Sequence, residues 1–140
     1  MSAPYRTRRR VEFRDTDAAG IAHFSVFFNY MEEAEHELLR SIGSSVLLQG
    51  DEGTTSWPRV AVSCDYRGAV RFEDELEIEV RVERLGEKSI SYGFRFQLDG
   101  RDVAEGRITA VYCLVGSAGL RSLPIPAELR EKLQAFGPAV

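Results

Sequence analysis

The sequence has no long apolar run and few cysteines or histidines, and these absences exclude several kinds of protein. Its 140 residues include two cysteines and two histidines. No apolar run approaches the length that spans a bilayer, so we expect no membrane insertion. Cys64 and Cys113 both fall in strand-like segments without metal-type spacing. We therefore expect two buried free thiols rather than a disulfide or a zinc site.

A strong charge of one sign and a targeting segment are also absent. The formal net charge of −4 does not favour binding to nucleic acid or to an anionic membrane. The amino terminus lacks an apolar core followed by small residues, so the cytoplasm is the expected compartment. The one basic cluster, RTRRR at residues 6–10, is interpreted as the charged face of an edge strand rather than as a phosphate site. A glycine-rich phosphate loop is also missing, and we expect no metal or redox cofactor.

The hydrophobic pattern predicts one α+β domain over residues 1–140. The chain is 44% hydrophobic and 29% charged, which is typical of a globular protein. A weakly alternating strand at residues 5–14 precedes an amphipathic helix at residues 24–42, which Gly43 ends. A polar connector follows at residues 44–58. Four strands that alternate between apolar and polar residues come next, and a short helix closes the chain near residues 126–136. The strands are centred on residues 60–66, 76–82, 90–98 and 104–114.

Short turns between the later strands indicate the arrangement of the sheet. LGEK at residues 85–88 and LDGRD at residues 98–102 are predicted hairpin turns, the second with an Asp-Gly pair suited to positive φ. Such turns make neighbouring strands antiparallel, so the four later strands are expected to form a meander. The apolar arc of the long helix is broad enough to be buried on several sides. An antiparallel sheet of about five strands, wrapped around one central helix, is therefore expected.

Two aspartates stand just before the long helix, and they allow two interpretations. Asp15 and Asp17 could shape the turn and cap free N–H groups, with Gly20 supplying backbone freedom. Alternatively, a carboxylate and the unpaired N–H donors of a helix start could form an acyl-transfer site. The donors would stabilise a developing oxyanion, and the carboxylate would attack a carbonyl or deprotonate a water molecule.

The segment DTDAAGIAHFSVFFNYMEEAE resembles the signature of the hot-dog superfamily in its hydroxybenzoyl-CoA thioesterase branch, Asp-x-Asp-x-x-Gly followed by an aromatic residue and the central helix. RVAVSCDYRGAVRFEDELEIEVRVERLGEKSISY and EGRITAVYCLV resemble later strands of the family. The resemblance implies the hot-dog fold, acyl-CoA thioester hydrolysis and a homodimer or homotetramer with its site at the subunit boundary. When the signature is matched residue by residue, the resemblance also implies that Asp17 is the nucleophile or the general base. The backbone N–H that polarises the thioester carbonyl is then that of Phe24.

The same matching implies further site residues around the catalytic pair. His23 borders the site, either as a spacer of aromatic size or in contact with water or substrate. Glu32 matches a position that contacts a phenolic substrate hydroxyl, and Lys88 lies in the hairpin that the family uses near the nucleotide. Gly20, Phe27 and Ser89 are further candidates for substrate binding. Because CoA carries phosphates, a cation is needed near the pocket mouth: Lys88 is the preferred one, Arg84 is a weaker candidate, and Arg59 and Arg67 are possible.

Two residues of the long helix and two alternative activities remain to be interpreted. Glu35 falls inside the apolar arc of the helix, where a salt bridge or a subunit contact is favoured over catalysis. His36 projects from the polar side and is interpreted as solvated. A non-catalytic acyl-CoA-binding module is the alternative function, and an enoyl hydratase would need a different Asp/His arrangement. The aromatic residues near the helix start suit an aromatic or a medium apolar acyl group equally well.

Overall fold

The computed structural model describes residues 2–137, which form two antiparallel sheets and two α-helices. The longer helix, α1, spans Val26–Ser41, and the shorter helix, α2, spans Ala127–Gln134. None of the helices within residues 2–137 is long and apolar enough to cross a membrane. The strands are β1 (Tyr5–Arg10), β2 (Leu48–Gly50), β3 (Gly53–Ser56), β4 (Arg59–Tyr66), β5 (Glu75–Leu85), β6 (Ser89–Leu98), β7 (Arg101–Val111), β8 (Cys113–Gly116) and β9 (Gly119–Ser122).

The larger sheet has five strands in the order β1-β5-β6-β7-β4. Burial alternates residue by residue along β6 and most of β5, and along β7 apart from the adjacent buried pair Val103 and Ala104, so one face of the sheet is apolar and buried while the other is polar. The apolar face wraps around α1, which buries residues such as Met31, Leu38 and Leu39 against it. The predicted α+β fold, a sheet of about five strands around one long helix, is confirmed.

A glycine on β7 lets the helix approach the sheet closely. A Cβ atom placed on Gly106 would lie 2.2 Å from the sulfur of Met31 on α1. Any larger residue would therefore force the buried Met31 side chain out of its present position. The carboxyl end of α1 is closed as the sequence predicted, because the N–H of Gly43 donates to the carbonyl of Arg40 and that of Ser44 to the carbonyl of Leu39.

The hairpin turns lie where the sequence predicted them. Asp99 and Gly100 join β6 to β7 with φ values of 51° and 80°, the left-handed conformation that an Asp-Gly pair adopts readily. The turn between β5 and β6 is closed by the N–H of Gly86, which donates to the carbonyl of Ser89 at 2.8 Å. These two turns make β5, β6 and β7 a meander.

The four-strand meander, however, is wrong. Strand β4 pairs with β7 at the far edge of the sheet and not with β5, its neighbour in sequence. Local alternation identified β4 as a strand, but its partner depends on how residues 67–74 cross the end of the sheet. As a consequence β4 has a neighbour on one side only, and β1 occupies the opposite edge.

Several predicted boundaries also differ from the structure. The first strand ends at Arg10 rather than at residue 14, since Phe13–Asp15 forms a short 3-10 helix. Helix α1 begins at Val26, two residues later than expected. The last predicted strand, residues 104–114, is broken at Tyr112, and its end forms β8. The connector at residues 44–58 contains β2 and β3, which pair with β8 and β9 in a second, four-stranded sheet of order β2-β3-β8-β9.

The predicted charged edge is present on β1. Arg6, Arg8 and Arg10 are exposed at this edge of the sheet, and Arg6 pairs with Glu79 of β5 at 2.8 Å. The thiol predictions are only partly correct. Both cysteines are free, and Cys113 is buried, but Cys64 is half-buried because β4 lies at the sheet edge.

Candidate active site

The loop before α1 is held in place by Asp15. One oxygen of its carboxylate, Oδ2, accepts hydrogen bonds from Tyr30 Oη at 2.8 Å and from the N–H of Glu12 at 2.9 Å. Its backbone carbonyl accepts the N–H of His23 at 2.8 Å. Burial, and then the hydrogen bond to Asp15, raise the pKa of Tyr30, so its hydroxyl remains a donor at neutral pH. Asp15 therefore ties the loop to both the 3-10 helix and α1.

Asp17 makes fewer contacts, and one of its carboxylate oxygens remains open. Oδ1 accepts the N–H of Ala19 at 2.8 Å, while Oδ2 has no hydrogen-bond partner among residues 2–137. The backbone closes a turn in which the N–H of Gly20 donates to the carbonyl of Asp17 at 2.9 Å. Gly20 has a φ of 79°, which a residue with a side chain rarely adopts. The turn thus fixes one oxygen of Asp17, and the other accepts no hydrogen bond from residues 2–137.

The start of α1 presents Phe24 beside this turn. Its backbone N–H has no acceptor within the described residues, whereas its carbonyl accepts the hydroxyl of Tyr66 at 2.7 Å. Phe24 lies two residues before the helix rather than inside it. Its ring is 63% exposed. The amide is therefore free to donate to a ligand.

His23 caps the segment that leads into the helix. Its Nδ1 lies 2.7 Å from the hydroxyl of Ser25 and accepts the N–H of Ser25 at 3.2 Å. Its ring packs on Phe24 with the ring centroids 4.4 Å apart. These contacts give His23 a local structural role and orient the ring of Phe24.

Asp17 and Phe24 line one pocket of about 390 Å³, together with mainly apolar residues. Phe27 forms its floor and packs edge-to-face on Tyr66 and on Phe96, with centroid distances of 5.4 and 5.2 Å. The sequence singled out Asp17, Phe24 and Phe27, and the fold brings these three together. Reasoning from the sequence missed Tyr66, because its position at the end of β4 gave no sign that it would meet the helix start. The other lining residues are Ile21, Ala22, Gly68, Ala69 and Val70.

The predicted nucleotide-binding residues lie at the other end of the sheet. Arg84, Lys88 and Ser89 belong to the β5–β6 hairpin end, whereas the pocket adjoins the start of β5, where Val11 bonds to Glu73 and Asp74. From the first to the last of its eleven residues, β5 spans about 33 Å, in steps of about 3.3 Å per residue. One chain alone therefore does not bring Lys88 to Asp17.

A buried ion pair links α1 to the start of β4. Glu35 has no exposed surface, and its carboxylate accepts both terminal nitrogens of Arg59, with Nη1 to Oε2 at 2.8 Å. The expected salt bridge is confirmed. Burial raises the pKa of Glu35, while Arg59 opposes this effect. Arg59 Nη2 also lies 3.7 Å from the exposed Glu32, which is outside the pocket of Asp17.

The prediction that His36 is solvated is wrong. Its side chain is mostly buried, and its Nε2 has no hydrogen-bond partner within residues 2–137, although it lies 3.7 Å from Glu35 Oε1. Burial lowers the pKa of His36 below its ordinary value. The hydroxyl of Tyr92, whose pKa is raised by burial and then by Glu35, is buried and has no hydrogen-bond partner in the described part of the chain. The helical wheel placed His36 on the polar side but did not reveal how closely neighbouring side chains cover it.

Comparisons with known proteins identify the family and agree with the fold. The family model of the thioesterase-like superfamily matches residues 11–133. A 1,4-dihydroxy-2-naphthoyl-CoA hydrolase of Synechococcus sp. (strain WH7803) is 31% identical over 134 residues, which cover 91% of this chain and 86% of that protein. A solved structure of an Aquifex aeolicus protein has a TM-score of 0.84 and 30% identity, covering 93% of this chain and 99% of its own.

A second solved structure, a gentisyl-coenzyme A thioesterase, has a TM-score of 0.79 and 27% identity. The similarity covers 91% of this chain and 98% of that one. The predicted hot-dog fold is thereby confirmed, as is the prediction of a thioester-hydrolysing enzyme. The family model covers well over half of the chain, and the chain therefore belongs to the thioesterase-like superfamily.

Proposed function

We propose that this protein is an acyl-CoA thioesterase, which converts an acyl-CoA and water to a carboxylic acid and CoA. One observation carries the proposal. The open carboxylate oxygen of Asp17 and the unpaired backbone N–H of Phe24 border the same apolar pocket. A nucleophile or base and an oxyanion donor are the two parts that acyl transfer needs.

Phe24 would donate its N–H to the thioester oxygen, so that negative charge developing there is stabilised. Asp17 then acts in one of two ways. As a nucleophile, its oxygen bonds to the carbonyl carbon and CoA leaves as the thiolate, after which water hydrolyses the mixed anhydride. As a general base, it takes a proton from the water that attacks the carbonyl directly.

The acyl group is inferred from the pocket together with the relatives. Phe24, Phe27 and Tyr66 offer aromatic surfaces, which suit a planar acyl group. The relatives named above act on 1,4-dihydroxy-2-naphthoyl-CoA and gentisyl-CoA, both hydroxylated aromatic thioesters. We therefore propose a hydroxylated aromatic acyl-CoA as the substrate class, with Glu32 as the acceptor for a ring hydroxyl.

The working form is proposed to be at least a homodimer, paired through β4. This edge strand carries the exposed apolar residues Val60 and Val62, which are 62% and 42% exposed. Val62 lies opposite the buried Ile108, so its side chain is on the apolar face of the sheet. Helix α1 of the same chain leaves this side chain partly uncovered. A second copy would pair with the open backbone groups of β4 and cover these side chains.

Such pairing would also complete the active site. Two copies of one edge strand, related by a two-fold axis perpendicular to the sheet, run antiparallel. The start of β4, at the Lys88 end of the sheet, would then lie beside the Tyr66 end of the partner's β4. Lys88 of the partner subunit would approach the pocket of Asp17, which explains why one chain separates these residues. Glu32, which is close to Arg59 at the start of β4, would border the partner's pocket in the same way.

The catalytic assignment is tested by Asp17→Asn, with Asp15→Asn as its control. Asp17→Asn keeps the size of the side chain and removes the carboxylate, so kcat is expected to fall about 100- to 10,000-fold. The melting temperature should hardly change, because an amide oxygen can still accept the N–H of Ala19. Thioester cleavage with a panel of acyl-CoA substrates and thermal unfolding measure the two effects.

Asp15→Asn is expected to show the opposite balance. Its carboxylate holds Tyr30 and Glu12, so the change should lower stability by about 1 kcal/mol with a modest loss of turnover. Near-normal turnover in Asp17→Asn would refute the catalytic assignment. Binding of acyl-CoA without cleavage by the unaltered protein would favour the non-catalytic binding module instead.

A further inference from the structure

Three successive carbonyl groups in the β5–β6 turn accept hydrogen bonds from residues elsewhere in the chain. Arg130 of α2 donates through Nη2 to the carbonyl of Gly86 at 2.6 Å and to that of Glu87 at 3.1 Å. The N–H of Ile125 also donates to Glu87, at 2.9 Å, and the N–H of Tyr112 donates to the carbonyl of Lys88 at 2.8 Å. The turn is thus fastened by two separate parts of the chain.

Planar trans peptides then determine which groups face outward. In each peptide unit the C=O and the N–H of the next residue point in opposite directions. Because the carbonyls of Gly86 and Glu87 converge on Arg130, the N–H groups of Glu87 and Lys88 point away from it. Neither N–H has an acceptor among the described residues. Successive free N–H groups of this kind form a concave site for anions.

The position of Arg130 is otherwise unexplained. Its guanidinium is half-buried, and none of the described carboxylates lies within ion-pair distance of it. An arginine whose N–H groups donate to backbone carbonyls restrains the conformation of the segment that it binds. The side chain of Lys88 is exposed on that segment. Glu87 is also exposed, and its solvated carboxylate opposes a bound anion only weakly.

We propose that Arg130 is a positioning residue, which fixes the turn at residues 86–88 so that the N–H groups of Glu87 and Lys88 and the Lys88 ammonium bind a phosphate group of CoA. This inference rests on the proposed thioesterase function and on the role of Lys88. Beyond Lys88, the anion site would include the backbone N–H groups of Glu87 and Lys88, and Arg130 would hold them in position. Arg130 acts through the turn and has no contact with the reacting thioester.

The test compares an acyl-CoA with the matching acyl-pantetheine, which has no nucleotide phosphates. Arg130→Gln is expected to raise KM for the acyl-CoA about fivefold to tenfold with kcat unchanged, the pattern of lost uniform binding. Lys88→Ala should behave in the same way. Both variants should leave KM for the acyl-pantetheine unchanged. Arg130→Lys should restore most of the affinity, since an ammonium can also donate to both carbonyls.

Lys132→Gln is the matched control on the same helix. Lys132 donates to the carbonyl of Ile42 and pairs with Glu128, away from the turn. Its removal should change KM for neither substrate. If Arg130→Gln alters both substrates equally or neither of them, the positioning role is refuted while the thioesterase function stands. If the unaltered protein cleaves neither thioester, the proposed function itself fails.

A measurement on the unaltered protein does not depend on the folding of any variant. Addition of free CoA should shift the NMR signals of the Glu87 and Lys88 amides and slow their hydrogen exchange. Pantetheine should have neither effect. Unchanged signals at saturating CoA would overturn the assignment of these two N–H groups.

Discussion

At the scale of single residues, acidic side chains close together in sequence have different surroundings and therefore different roles. The carboxylate of Asp15 accepts two hydrogen bonds, both on Oδ2, and holds its loop, while that of Asp17 accepts one, on Oδ1. Glu35 is buried against Arg59, and Glu32 only three residues earlier is exposed. Burial and hydrogen bonding, rather than residue type, distinguish these four carboxylates.

We predict that Glu35→Gln is strongly destabilising. The change leaves the guanidinium of Arg59 largely covered and without its main charged partner, which costs about 3 kcal/mol in comparable buried pairs. The free energy of unfolding from denaturant titration measures this loss. Glu35→Leu combined with Arg59→Met should recover most of the stability, because no charge is then left buried.

Glu77→Gln is the control for this prediction. Glu77 pairs with Arg8 at 3.3 Å on the exposed face of the sheet, where both side chains are more than half exposed. Removal of such a pair costs less than about 1 kcal/mol. A similarly small effect of Glu35→Gln would contradict the prediction and would show that Arg59 is adequately solvated or paired without Glu35.

At the scale of elements, β4 is an incompletely covered edge strand of the larger sheet. It has one neighbouring strand, and its apolar residues Val60 and Val62 are exposed. The other edge strand, β1, is instead covered with arginines, which discourage pairing with a further strand. This asymmetry supports β4 rather than β1 as the edge that pairs with a second copy.

We predict that Val62→Lys dissociates the proposed dimer. The added ammonium would have to be buried opposite the partner's β4, and an unpaired buried charge is costly. Sedimentation velocity at micromolar concentration should show at least a dimer for the unaltered protein and a monomer for the variant. Thioesterase activity should fall together with the loss of the dimer.

Phe13→Lys provides the comparison for the edge-strand prediction. Phe13 is 77% exposed and lies beyond β1, at the opposite edge of the sheet. The variant introduces the same charge at an exposed apolar site and should sediment like the unaltered protein. A monomeric unaltered protein, or equal dissociation by both variants, would rule out pairing through β4.

At the scale of the whole molecule, two of the proposed site residues lie at opposite ends of one sheet. The pocket of Asp17 includes Val70, in the segment that leads into β5, and Lys88 follows the far end of that strand. Antiparallel pairing of two sheets would bring each Asp17 close to Lys88 of the partner subunit. The prediction is therefore that subunits with different defects complement each other.

We predict that mixed dimers of Asp17→Asn and Lys88→Ala chains recover activity. In a mixed dimer one site receives the intact Asp17 and the intact Lys88, while the other site receives both changes. Random assortment makes half of the dimers mixed, so about one quarter of all sites should be restored. Initial rates at low acyl-CoA concentration, after unfolding and refolding the mixture, measure the recovery.

If both residues acted within one chain, no site in a mixed dimer would be intact. The rate would then equal the average of the two separate variants. That result would contradict the site at the subunit boundary, even if the protein proved to be a dimer.

Much of this molecule could be predicted from local patterns. The alternation in β5 and β6, and in most of β7, identifies their buried faces, and the Asp99–Gly100 pair identifies a turn of positive φ. The signature around Asp17 and Phe24 located the pocket, because those residues are neighbours in sequence and share one loop. Glu35 was recognised as buried because its helical position falls among apolar residues.

The remaining features depend on residues that are distant in sequence. The pairing of β4 with β7, the contact of Tyr66 with Phe24 and the burial of His36 each require the position of another element. Periodicity gives the buried face of a segment but contains no information about which segment covers it. For the same reason, periodicity could not predict the hydrogen bonds from Arg130 to the β5–β6 turn, which lies 43 and 44 residues earlier in the sequence.

The sequence by itself therefore determined the α+β class, the long helix, the faces of the strands and the aspartate loop. Each of these depends on neighbours within a few residues, where side-chain periodicity and turn chemistry are decisive. Only the tertiary structure decided the strand order, the open edge at β4, the partner of Glu35 and the separation of Lys88 from Asp17. These features depend on packing between segments that are distant in sequence. The exposed position of β4 has the largest consequence, and it depends on the path of residues 67–74 across the sheet.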